Sequence, residues 1–136
     1  MGKITSNKIS RISLIILLGL TFLTTSCKKD DASNSLSGTT WKYEYIANGE
    51  QDDITITFQQ ESYSLKEIDN YNGVIYANVL VTGTYTYDHP SVTLEGNGTE
   101  SIGGTSFQFN AAGSVSGKQM TLVFKNSASS YVFTKQ

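Results

Sequence analysis

The stretch WKYEY, Trp41 to Tyr45, and its counterpart ITITF, Ile54 to Phe58, decide the fold. In the first, Trp41, Tyr43 and Tyr45 fall on one side and Lys42 and Glu44 on the other. In the second, Ile54, Ile56 and Phe58 alternate with Thr55 and Thr57. A period of two belongs to a half-buried strand, because successive side chains point to opposite faces of a sheet. The alternation recurs at Tyr63 and Leu65, at Tyr85 and Tyr87, and at Val92 and Leu94. It continues at Phe107 and Phe109, at Met120, Leu122 and Phe124, and at Tyr131 and Phe133. No segment carries apolar residues at helical spacing over a useful length.

Turn signals separate these runs. The Asn-Gly pair in NYNG, residues 70–73, suits a type I′ hairpin joining the strand around Tyr63 to the one around Tyr76. The DHP triplet holds the one proline, Pro90, and marks another turn; GNGTE, 96–100, and NAAGS, 110–114, predict looser ones. Eight or nine short strands with short connections predict an all-β domain, an antiparallel meander closed into a barrel. A two-sheet β-sandwich shares the same alternation and is the alternative. The domain spans residues 36–136, which is one domain's worth of chain. A single cysteine allows no internal disulfide, so the fold must rest on a hydrophobic core. Fourteen of the fifteen aromatic residues fall in this domain to supply it.

Ahead of the domain the composition changes. Lys3, Lys8 and Arg11 precede the apolar run ISLIILLGLTFL, residues 12–23. That run is too short for the roughly 20 residues a spanning helix needs, and it fits the core of a secretory signal peptide. The small residues Thr24, Thr25 and Ser26 lead to the lone Cys27. The stretch resembles the lipobox of bacterial lipoproteins, with Thr24 at the position that usually holds leucine and Leu23 one place earlier. The resemblance implies a signal peptide over 1–26 that is removed, and acylation of Cys27 with diacylglyceryl and palmitate groups as the new first residue. The hydrophilic KKDDASNS then makes residues 27–35 a flexible lipidated tether. Two or three acyl chains would hold the protein firmly on a membrane without spanning it, and the acidic tether resembles those that route lipoproteins to the outer membrane.

The segments LSGTTWKYEY, GTYTYDHPSVTLEG and VSGKQMTLVFKNSASSYVFTKQ together resemble the lipocalin-like, calycin-type domains of small bacterial lipoproteins. In such domains a Gly-x-Trp in the first strand puts the tryptophan across the closed end of the barrel, with a basic residue near the last strand packed on it. Here Gly38 and Trp41 are separated by two residues. The resemblance implies barrel closure by Trp41, with Lys135 as the cation over its indole. An ordinary core aromatic is the simpler role for Trp41, and both roles require burial.

Catalytic chemistry is hard to assemble. His89 sits between Asp88 and Pro90 in a turn, without a positioned nucleophile. GSVSG, 113–117, has its serines at the second and fourth places and lacks the strand-to-helix setting of a nucleophile elbow. GNGTESIGG matches no phosphate-binding pattern and reads as a loop. DNYNG lacks the spacing of a calcium loop. Adjacent Asp52 and Asp53 point to opposite faces of an extended chain. No catalytic residue, metal site or cofactor is therefore expected. From Cys27 onward there are seven lysines, no arginine and twelve carboxylates, a side-chain balance of −5. That excludes the clustered positive charge a nucleic-acid surface needs.

The expected function is non-enzymatic binding at the cell envelope by a monomer. The ligand would be small and amphipathic or hydrophobic, lined by Trp41, Tyr43, Tyr45, Phe58, Tyr85, Phe107 and Phe109, or the occupant would be a partner protein. The alternative is a structural or interaction lipoprotein whose barrel is filled. If those rings meet in the middle, the barrel is filled; if they line a void of about 300 Å³ or more, ligand carriage gains ground.

Overall fold

Eight antiparallel strands form along the runs of alternating residues: β1 (Thr40–Ala47), β2 (Glu50–Phe58), β3 (Ser62–Tyr71), β4 (Val74–Asp88), β5 (Ser91–Glu100), β6 (Ser106–Ser116), β7 (Gln119–Phe124) and β8 (Ser130–Lys135). They come from a computed structural model that describes residues 35–136. The segment expected to be a signal peptide, Cys27 and the expected tether up to residue 34 lie outside the described residues. Each strand pairs with the next, and β8 returns to β1 through Trp41 opposite Lys135 and Lys42 opposite Thr134. The sheet is a closed meander barrel, so it has no free edge. The sandwich alternative is set aside by that β1–β8 pairing.

The apolar phase of every run faces inward. Trp41, Ile54, Ile56, Phe58, Leu65, Val81, Val92, Leu94, Met120, Leu122 and Phe133 are all less than 2% exposed, and no polar or charged residue is fully buried among the described residues. Lysines, threonines and carboxylates such as Lys42, Glu44, Thr55, Lys66, Thr84 and Glu95 take the outer face. An apolar interior inside a polar shell reverses the arrangement of a membrane-spanning barrel, whose lumen is polar and whose outside is apolar.

A meander puts alternate connections at opposite ends. At one end lie the β2–β3, β4–β5 and β6–β7 turns together with both ends of the described stretch, residues 35 and 136. Leu36 closes this end: Thr39 N–H donates to its carbonyl, Gly38 N–H donates to the Phe58 carbonyl at 2.9 Å, and Leu36 itself is 3% exposed. Gln136 N–H donates to the Thr40 carbonyl at 2.9 Å, which fixes the C-terminus beside the start of β1. This end is plugged by Leu36, Trp41, Val115 and Met120. At the other end lie the β1–β2, β3–β4, β5–β6 and β7–β8 connections, and there the barrel is open. Asn48 and Gly49 (φ 52° and 84°) and Asn72 and Gly73 (φ 51° and 82°) each place two successive residues in the left-handed region, as a type I′ turn requires.

The predicted turns at GNGTE and NAAGS are not turns. Residues 96–100 belong to β5 and residues 110–114 to β6, and of the glycine-rich loop only the part after Glu100 leaves the sheet. Their glycines serve curvature instead. Gly83 and Gly96 are cross-strand partners. A Cβ on Gly83 would run into the Glu95 carbonyl oxygen and one on Gly113 into that of Thr121, while one on Gly96 would lie 2.5 Å from the Thr82 carbonyl oxygen. Bare backbone at these positions lets neighbouring strands bend sharply around the barrel.

Candidate functional site

The interior changes character towards the open end. On β2 the inward phase of Ile56 and Ile54 continues into Asp52 and Glu50, and on β3 that of Leu65 continues into Glu67 and Asp69. Asp52 and Asp69 are direct cross-strand partners, and Glu67 stands opposite Ile54. Side chains so paired have Cβ atoms about 5 Å apart, and like charges there are destabilising. None of the three has a basic partner: the ion pairs among the described residues join Lys42 on the outer face to Glu44 and Asp53. One oxygen each of Asp52 and Asp69 is buried with no hydrogen-bond partner.

This environment holds the carboxyls towards their neutral forms. Burial, then Asp69 and Asp52, pushes Glu67 up to about 7; burial, then Asp52 and Glu50, pushes Asp69 up to about 6. Asp52 is raised by burial and then by Glu50 and Asp53. A register shift between Asp69 and Asn70 leaves Tyr76 as an extra residue on β4, and its hydroxyl donates to Glu50 Oε1 at 3.1 Å. A bulge re-aims a side chain in this way at the rim of a barrel.

Across the lumen stands an aromatic wall from β6, β7, β8 and β1. Phe109 meets Phe124 edge-on at 5.1 Å, Phe124 stacks on Tyr131 at 4.4 Å and 13°, and Tyr131 meets Tyr43 edge-on at 5.2 Å. Phe107 covers Gly98, whose missing side chain leaves room for the ring. Glu67, Val79, Val81, Phe107, Phe109 and Phe124 line a recess of about 180 Å³ here, with Lys125 at its edge. A wider concavity of about 450 Å³ is an open groove on the outer face of β4 to β6, lined by Thr82, Thr84, Glu95, Asn97, Gln108 and Asn110. It lacks the apolar walls that enclose small ligands.

The seven aromatic residues singled out from the sequence divide between the two ends. Trp41 and Phe58 are packed in the plugged half, where Phe58 meets Tyr85 at 4.9 Å and Tyr85 donates its hydroxyl to the Gln59 carbonyl at 3.0 Å. Tyr43, Phe107 and Phe109 reach the open end, and Tyr45 stands 42% exposed at its rim opposite Asp52. The indole N–H of Trp41 donates to Thr39 Oγ1 at 2.8 Å, and Lys135 is its register partner at the closing seam. His89 shares a 2.8 Å hydrogen bond with the Tyr87 hydroxyl at the plugged end, far along the strands from the recess.

Sequence reading missed the inward carboxylates. An acidic residue in an alternating strand reads as solvent-facing, and the β2–β3 register is needed to show that Asp52 meets Asp69. The available signal was phase: Asp52 keeps the parity of Ile54 and Ile56, and Glu67 that of Tyr63 and Leu65. No group of three or more His, Cys, Asp or Glu among the described residues is placed to hold a metal ion.

An eight-stranded antiparallel closed barrel of this kind is consistent with a calycin-like architecture. Comparison with family models, curated proteins and solved structures finds no match to the chain.

Proposed function

We propose that this protein is a non-enzymatic binding module of the cell envelope, lipocalin-like in design, which takes a small amphipathic ligand at the open end of its barrel. One observation carries the reading: a recess walled by Phe107, Phe109 and Phe124 and edged by a carboxylate, above a fully packed lower barrel. At about 180 Å³ it is smaller than the 300 Å³ or more of a typical ligand pocket. It suits a ligand of about one ring, since an apolar cavity of about 150 Å³ accepts benzene. The lipobox-like residues around Cys27 support export and a lipid anchor at the outer membrane.

The packed interior favours a second reading, in which the filled barrel is a scaffold and the rim meets a protein. Ile46, Tyr71, Val74, Ile75 and Ile102 stand exposed around the open end. Mass spectrometry of the protein purified from its own membranes, beside Cys27→Ala, tests the anchor. The expected mass is the chain from Cys27 plus two or three acyl groups, lost in the variant; an unacylated product cut elsewhere refutes it. Native spectra of the same sample, compared with Phe107→Ala and Phe124→Ala, test the ligand. A co-purifying small molecule absent from the variants supports carriage, and a bare protein with no amide shifts at the recess on titration with aromatic fragments refutes it.

A further inference from the structure

Resting on that reading, we infer that the ligand is an organic cation, an ammonium group carried on an aromatic or short alkyl body, with its charge between the carboxylates of β2 and β3 and its body against the aromatic wall. Two independent features meet at the open end. The first is a set of inward carboxylates, Asp52, Glu67 and Asp69, held together without a basic partner and with two oxygens buried and unpartnered. The second is the recess itself, which of the three carboxylates Glu67 lines, with the rings of Phe107, Phe109 and Phe124 on β6 and β7 as its apolar wall. A fold gains nothing from opposing Asp52 to Asp69, because like charges in a cross-strand pair repel. A cation placed there would satisfy both and relieve the repulsion.

The aromatic side fits the same chemistry. A cation within about 6 Å of a ring face is attracted by the ring quadrupole, most strongly where water is excluded. Tyr43, Phe124 and Tyr131 present a continuous aromatic surface at that level. Tyr43 is itself adjacent to the acidic side, since Asp52 is among the groups that hold its hydroxyl neutral, after burial. The one basic group at the edge of the recess is Lys125, which belongs to no ion pair among the described residues. An anion would therefore meet the Glu67 carboxylate in the recess, with Asp69 next along β3 and Asp52 paired to it on β2, against one lysine at the edge. A neutral ring would fit the recess but give the Glu67 carboxylate, and the unpartnered oxygens of Asp52 and Asp69 beside it, no partner.

Three probes of one size and differing charge test the inference: 2-phenylethylamine, 2-phenylethanol and 3-phenylpropionate, titrated at pH 8 by calorimetry and by amide shifts of the full domain. The amine is expected to bind at least tenfold more tightly than the alcohol, and the acid more weakly than either, with shifts at Glu67, Phe107 and Phe124. In the Asp52→Asn, Glu67→Gln, Asp69→Asn triple variant the amine should fall to the affinity of the alcohol, whose own affinity is retained. The single variant Glu67→Gln, expected to fold at least as stably as the parent, should lose part of the preference. Equal binding of amine and alcohol overturns the cation inference while leaving the small-ligand reading standing. Tightest binding of the acid also overturns it. If no probe shifts the recess, both fail together.

Discussion

Glu67→Gln should stabilise the barrel at alkaline pH and leave it unchanged in acid. The folded chain holds this carboxyl at about 7, against an ordinary 4.5, chiefly through burial. Below pH 4.5 the group is protonated in both states and contributes nothing. Between 4.5 and 7 the unfolded chain releases the proton while the folded chain keeps it, so stability falls as pH rises; above 7 the full penalty is present. At about 1.4 kcal/mol per tenfold change in proton affinity the penalty would be about 3.5 kcal/mol, and the solvent reaching the carboxyl reduces it to about 2. Asp69 acts in the same direction between its ordinary 3.8 and about 6. The barrel is thus expected to be more stable at pH 5 than at pH 8. The Glu67→Gln substitution would remove one source of that slope, as an amide cannot ionise. Urea unfolding from pH 4 to pH 8.5 reads the difference directly: coincident curves in acid, diverging by about 2 kcal/mol at pH 8. In a domain of this length that corresponds to roughly 10 °C in melting temperature. A variant equally destabilised at every pH, or a parent whose stability rises steadily from pH 5 to 8 with the same slope in Glu67→Gln, would refute the burial of Glu67.

Other substitutions probe the frame around the site. Gly113→Ala forces a methyl into the Thr121 carbonyl and should cost about 3 kcal/mol or prevent folding, whereas Gly98→Ala meets only the Phe107 ring and should cost about 1 kcal/mol, as chemical denaturation would show. The Tyr63 hydroxyl is buried without a partner, so Tyr63→Phe should be neutral or up to about 1 kcal/mol stabilising; a loss above that would reveal a partner. Trp41→Ala empties the plugged end and should cost about 3 to 5 kcal/mol by the same measurement. Gly73→Ala, at φ 82° in the β3–β4 turn, should cost about 1 kcal/mol without changing the near-ultraviolet spectrum of the core.

Much of the barrel was legible in the sequence because strand phase is a local property. Trp41, Ile54, Ile56, Leu65, Val92, Leu94, Met120, Leu122 and Phe133 all occupy the inward positions their parity predicts. Asn72-Gly73 could be recognised as a turn because few residue pairs accept two successive positive φ angles. The glycines of β5 and β6 were misread because glycine permits both a turn and a sharp bend in a strand, and only the neighbouring strand tells which. The carboxylates escaped for a related reason. Their inward direction follows from parity, but their meeting depends on the β2–β3 register, and polarity argued for the outer face. Closure itself depended on the pairing of residues 41 and 135, which no local pattern encodes.

Both ends of the barrel domain leave it beside the Trp41 plug, while the recess opens at the opposite pole. The barrel domain therefore has a plugged pole where the chain enters and leaves, and an open pole that carries the recess. The chain ahead of Leu36 joins the domain at the plugged pole, so it does not enter across the acidic, aromatic mouth. A reporter or solid support joined directly at Leu36 or at Gln136 would leave the mouth clear.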